Sequence, residues 1–241
     1  SGNRGFFCDQ VLHELEKNNI TEDMLKNGGY DITTTLDPQA QDSATNAAKK
    51  YVPDPGQPIA ESVALIQPGD KDHKVVALAN SRDYGYEPGQ TSLPLVTSNV
   101  GHGAGSVFKV FAAAVALEKG WDINQTVNVP PTYQASGLGD GGQPGCPAGK
   151  YCVSNAGAYA PTMSFTDALA YSPNTPFIRM AEEVGNPNIV DKAIAMGLKS
   201  YDEGDDGDTI ADRMRASGSF VLGPTAVNTL ELANVGATIA S

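Results

Sequence analysis

Gly105-Ser106-Val107-Phe108-Lys109-Val110-Phe111-Ala112-Ala113-Ala114-Val115-Ala116-Leu117-Glu118-Lys119-Gly120 is the stretch whose reading decides the fold. Between Ser106 and Leu117 only Ser106 and Lys109 are polar, and the rest is Ala, Val, Leu and Phe on every side of a helical wheel. A helix apolar all round belongs inside a domain, so the run predicts a buried central helix. Ser106 is expected at its N-cap and Gly120 just past its end. Lys109 follows Ser106 by one helical turn, on the same face. In low dielectric its charged form is disfavoured, which is how a lysine becomes a base for a serine hydroxyl. The other reading of the tetrad is a lysine that snorkels to solvent from the first turn.

Upstream, residues 1 to about 27 read as helical and polar, and Gly28-Gly29 ends them. Tyr30 to Leu36 is rich in β-branched residues and predicts a strand. Asp37-Pro38 is a helix start, with Asp as cap and Pro in the first position, and that helix runs to about Tyr51. Pro53, Pro55 and Pro58 form a stiff linker. Ser62–Ile66 and Lys74–Ala79 are short apolar strands joined through Pro68-Gly69-Asp70, a hairpin whose two faces need helical cover. Residues 81 to 103 are loop.

Downstream, Thr126–Val129 predicts a short strand, followed by irregular Gly/Pro-rich sequence to Pro161. Ser164 caps a helix over Phe165 to Tyr171, and Ser172-Pro173-Asn174 interrupts it. Helices are predicted from about Pro176 to Val184 and from Asn188 to Met196. Residues 200 to 208 carry five acids and read as a solvated loop. Asn228 with Glu231 three residues on opens a last helix. Strands first, then a mostly helical half, predict an α+β fold built around one sheet.

The formal charge of −12, from 16 basic and 28 acidic residues, argues against nucleic acid and anionic lipid as partners. No run has membrane-spanning length, and residues 1–4 are no signal peptide. The chain therefore reads as a soluble piece of something larger. Three cysteines are too few for a disulfide scaffold. Cys146 and Cys152 bracket a short Gly/Pro-rich loop; a bridge there would contribute about 2 kcal/mol on the loop-entropy model and imply an oxidising compartment. Two free thiols are the other reading. Cys8 is left over and is expected to be buried. Three scattered histidines make no zinc pattern, so no metal is expected.

The second constellation is Tyr171-Ser172-Pro173-Asn174-Thr175. At a break between helices it can turn a hydroxyl and an amide into one cleft, the first to relay a proton and the second to orient a peptide. It can equally be an ordinary cap and turn.

Taken together, these stretches resemble the transpeptidase domain of bacterial penicillin-binding proteins, particularly the bifunctional class A type. Gly29 to Asp37 is similar to the segment leading into that domain. Gly105 to Lys109 resembles its first active-site motif, Ala168 to Phe177 its second, and Leu222-Gly223 with Thr229 to Ala240 the helix before its third. The third motif, Lys-Thr/Ser-Gly, does not occur, so the resemblance implies a chain truncated before it.

The family's fold, penicillin-binding/β-lactamase-like, is an antiparallel sheet covered by helices, here expected to be incomplete. Residues 1–58 would be a linker segment and residues 59–241 the N-terminal portion of the domain. The resemblance further implies a D,D-transpeptidase that cross-links peptidoglycan stem peptides through a serine acyl-enzyme and is blocked by β-lactams. In it Ser106 would be nucleophile, Lys109 general base, Ser172 proton relay and Asn174 substrate orienter, with the Ser106 amide as an oxyanion donor. No cofactor is implied. Partners would be the stem peptide, β-lactams, the C-terminal remainder of the same protein, and a membrane reached only through an upstream anchor, placing the chain outside the cytoplasm in the cell envelope. A serine β-lactamase and a non-catalytic penicillin-binding-like module are the alternatives.

Overall fold

A computed structural model describes residues 2–204 and 207–241. In chain order its first elements are α1 (Gly5–Lys17), α2 (Glu22–Asn27), α3 (Pro38–Tyr51), β1 (Ser62–Gln67) and β2 (Lys74–Asn80). A 3₁₀ turn over Gly105–Phe108 leads into α4 (Lys109–Glu118), followed by β3 (Thr126–Asn128), β4 (Thr132–Ser136), β5 (Lys150–Ser154) and β6 (Thr162–Ser164). The helical remainder is α5 (Phe165–Tyr171), α6 (Thr175–Val184), α7 (Asn186–Met196), α8 (Ile210–Arg215) and α9 (Thr229–Ala240). Among the described residues no helix is long and apolar enough to cross a membrane.

The chain forms two compact units, residues 1–100 with 228–241, and residues 101–227. In the first, β1 and β2 pair antiparallel from Ser62↔Asn80 to Gln67↔Lys74, with an irregularity at Leu65/Ile66. Helices α1 and α3 pack on β2, and α9 on β1. Phe6, Phe7, Leu78 and Val96 form one apolar cluster and Ala44, Ala77 and Ala79 another. Asp37 caps α3 by accepting from the Gln39 and Ala40 amides, and Asn228 caps α9 through the Glu231 amide.

Residues 30–36 are not a strand. Of the described backbone amides from Tyr30 to Asp37, only that of Asp37 reaches β2, at the Val76 carbonyl (3.0 Å). Threonine hydroxyls take over nearby backbone partners: Thr35 donates to the Val75 carbonyl, and Thr34 accepts from the Leu36 amide. Farther along the same edge, the buried Gln41 amide satisfies both the N–H and the carbonyl of Leu78 (2.9 and 2.8 Å). Cys8 is exposed on α1, not buried.

In the second unit α4 is the core, with Phe111, Ala112, Ala113, Val115 and Ala116 buried and α6 and α7 against it. Its end is a Schellman motif: Gly120 has φ +88°, its amide meets the Leu117 carbonyl, and the Trp121 amide reaches back to Ala116. The expected single sheet is instead three two-stranded antiparallel pairs among the described residues: β1–β2, β3–β6 and β4–β5.

The β4–β5 hairpin lies in sequence read as irregular. Ala135, Tyr151, Cys152 and Val153 are buried on it, a short apolar pairing that the intervening glycines and prolines obscure. Cys146 and Cys152 are joined by a disulfide across its loop. Residues 199–202 form a 3₁₀ turn with Tyr201 buried, so the acidic loop is shorter than expected; its residues 205 and 206 lie outside the described residues. Helix α8 was not foreseen, although Thr209 and Asp212 build a full capping box at its start.

Candidate active site

Ser106 sits in the 3₁₀ turn and not at an N-cap, and its side chain caps nothing. The turn is seated by backbone contact: the Gly105 amide donates to the Gly223 carbonyl (2.9 Å), and Gly103 bridges to Ala226. A Cβ on Gly223, itself at φ +66°, would lie 2.1 Å from the Gly105 carbonyl oxygen, so only glycine permits this approach. Behind the turn Phe108 packs edge-on against Phe111 and Phe220. In 3₁₀ geometry residues i and i+3 eclipse one another, which stacks the Ser106 hydroxyl over the Lys109 side chain.

Lys109 is completely buried, 0% exposed. Its Nζ lies 3.0 Å from Ser106 Oγ, 2.7 Å from the Ser172 carbonyl oxygen, 2.9 Å from Ser172 Oγ and 3.0 Å from Asn174 Oδ1, with the Phe177 ring centroid at 5.4 Å. None of these partners is an anion. Burial lowers the amine from its ordinary 10.5 to about 8.

The partner set suits a neutral amine. Its two N–H groups match the two oxygens that can only accept, the Ser172 carbonyl and Asn174 Oδ1. Its lone pair is then left for a hydroxyl, and Ser106 and Ser172 each offer one. A proton can therefore pass between either serine oxygen and this nitrogen without rearrangement.

Ser172 ends α5 in the left-handed region, φ 60° and ψ 39°, an uncommon place for a residue with a Cβ. That backbone turns both its carbonyl and its hydroxyl onto Lys109. Asn174 stands at the N-cap of α6, but its side chain makes no capping bond to its own helix. Its Oδ1 takes Lys109 and its Nδ2 donates to the Ser154 carbonyl (3.1 Å), so both ends of the amide are engaged within the protein.

The four side chains singled out from the sequence thus meet at one amine. Cys146 and Cys152 are not among them; their bridge closes the β4–β5 loop. One residue escaped the sequence reading. Asn155, directly after β5, accepts from the Asn174 and Thr175 amides (2.8 and 3.0 Å). An asparagine after a strand reads as a turn residue, and nothing local points to partners about twenty positions away. Among the described residues no group of three or more His, Cys, Asp or Glu could hold a metal ion.

Comparison with known proteins gives a consistent result. The sequence matches the penicillin binding protein transpeptidase domain over residues 65–241. It is 29% identical to penicillin-binding protein 1A of Mycolicibacterium smegmatis over 187 residues, covering 77% of this chain and 21% of that protein. Against penicillin-binding protein 1A of Mycobacterium tuberculosis it is 28% identical, covering all of this chain and 27% of the relative. The chain thus spans about a quarter of the length of these relatives. Its fold superimposes on that of the penicillin-binding protein PonA1 of M. tuberculosis with a TM-score of 0.73 at 26% identity, over 99% of this chain and 58% of the other.

Proposed function

This chain belongs to the penicillin-binding protein transpeptidase family, and from that premise we propose that it carries a D,D-transpeptidase site working through a serine acyl-enzyme. Ser106 Oγ attacks the carbonyl of the penultimate D-Ala of a peptidoglycan stem peptide while its proton passes to Lys109 Nζ. As the C–N bond to the terminal D-Ala breaks, Ser172 Oγ relays that proton to the leaving amine. An amine of a second stem peptide then attacks the ester, and the Ser106 oxygen recovers a proton as the cross-link forms. Asn174 gives its remaining N–H to the substrate backbone, and the Ser106 amide serves as one donor to the developing oxyanion. A β-lactam would enter by the same attack and remain as a stable ester.

The observation that carries this reading is a buried lysine amine held between two serine hydroxyls by neutral partners only. Residues 59–241 would be the part of the transpeptidase domain in this chain, with residues 1–58 leading into it. The disulfide and the family together support a site outside the cytoplasm, in the cell envelope, with anchoring supplied elsewhere in the protein.

The test is covalent labelling of the whole protein by a fluorescent penicillin. Label is expected on the peptide that contains Ser106 and is expected to vanish in Ser106→Ala. Absence of label from the wild type, or its survival in that variant, would overturn the reading. An adduct that persists for hours separates a transpeptidase from a β-lactamase, which would clear it within minutes.

A further inference from the structure

Asparagine at an N-cap ordinarily turns its side chain onto its own helix, where Oδ1 accepts from the second or third amide. Asn174 does not, and its Oδ1 serves Lys109. The amides at the start of α6 still need partners. Pro176 removes one of them, and Asn155 Oδ1 takes two more, those of Asn174 and Thr175.

Asn155 is itself held on other sides. Its Nδ2 donates to the Pro130 carbonyl (3.0 Å) and its backbone amide to the Pro131 carbonyl (3.2 Å). Thr175 Oγ1 reaches the same Pro130 oxygen (2.8 Å), and Asn174 Nδ2 reaches the Ser154 carbonyl beside it. The end of β5 and the start of α6 are thereby joined around one side chain.

We infer that Asn155 is a positioning residue: by accepting from the Asn174 and Thr175 amides it fixes, from a neighbouring strand end, the backbone that aims the Asn174 side chain at Lys109. Without it, the Asn174 and Thr175 amides would lose their acceptor and the first turn of α6 would shift, carrying the Asn174 side chain off Lys109. Lys109 would then lose one of its two acceptor-only partners, and its lone pair would no longer be aimed at the serine hydroxyls.

The inference rests on the acyl-enzyme reading above, and stopped-flow acylation of the whole protein by a fluorescent penicillin separates the two. Asn155→Ala is expected to slow acylation on the order of 10²-fold, the scale of a 1 Å misplacement, with the preceding noncovalent affinity little changed. Asn155→Asp keeps an oxygen for both amides and should recover most of the rate. Added to Asn174→Ala, Asn155→Ala should cause no further loss, because its effect passes through that side chain. Thr175→Val, which removes a neighbouring bond and touches no reacting group, should lower the melting temperature and leave acylation unchanged. If Asn155→Ala does not fold, Asn155→Ser, a shorter acceptor, takes its place with the same expectations. A wild-type rate in the variant, or losses that multiply in the double variant, overturn the inference while labelling at Ser106 stands. Label that survives Ser106→Ala sinks the parent reading instead.

Discussion

The two ends of α4 each hold a lysine amine and treat it in opposite ways. At the first residue Lys109 is buried among a carbonyl, an amide oxygen and two hydroxyls. At the last, Glu118 meets Lys192 of α7 at 2.6 Å, with side chains 61% and 24% exposed. Both ends carry the charge that the helix dipole disfavours, a cation at the start and an anion at the finish. In water the mismatch is relieved by a counter-ion. In the core there is none, and burial instead lowers the amine to about 8, so that it gives up its proton more readily. A lysine becomes a base here through what surrounds it, not through its place in a tetrad.

Several substitutions would break or sharpen that contrast. The largest effect is expected from Lys109→Met, which keeps the packing and removes the base. Penicillin acylation should fall by about 10²- to 10⁴-fold, the usual contribution of a general base, as measured by stopped flow. In the wild type the same rate should climb with pH through about 8, where the amine loses its proton.

The second effect concerns stability. The amine titrates near 8 in the folded protein and at 10.5 ordinarily, so between these values the unfolded chain binds the extra proton. Stability should therefore rise with pH across that window, and the cost of the buried charge is fully present below it. Lys109→Met lacks this term. Its stability relative to wild type should decline by about 3 kcal/mol between pH 7 and pH 10.5 in urea titrations. A flat difference would mean that the amine is not desolvated.

Third, Asn174→Asp sets a carboxylate where a neutral oxygen now lies 3.0 Å from the amine, copying the far end of the helix. An adjacent opposite charge raises the amine by about one unit or more, so the neutral fraction and the acylation rate at pH 7 should drop about tenfold at least. The pH profile should move upward with it. Smallest of all is Glu118→Gln, which removes the exposed pair. It should shift stability by less than about 0.5 kcal/mol and leave acylation untouched.

Much of this arrangement was readable in the sequence where a signal is local. The apolar circumference of residues 107–117 announced a buried helix, and Asp37, Ser164 and Asn228 announced their caps. What escaped is what depends on distant partners. Ser106 lies in a 3₁₀ turn because Gly223 holds Gly105 from more than a hundred positions away. Tyr30 to Leu36 has strand composition, yet the β2 edge beside it is taken by Gln41 and by the Thr35 hydroxyl. The β4–β5 hairpin hides among glycines and prolines, and its burial arises only once the strands pair. Asn155 carries no local mark, because the helix it caps begins twenty positions later.

The carbonyl of Ser172 is the nearest oxygen to the Lys109 amine, at 2.7 Å, and it belongs to the main chain. No point mutation can delete it; only a change in the backbone can swing it away. Replacement by glycine or asparagine, which tolerate a left-handed turn, would preserve this anchor even as the hydroxyl disappeared, whereas valine or isoleucine would resist the turn and release it. The hereditary routes by which such a protein could drift while keeping its lysine in place are therefore narrowed at position 172 by chain conformation before side-chain chemistry is consulted.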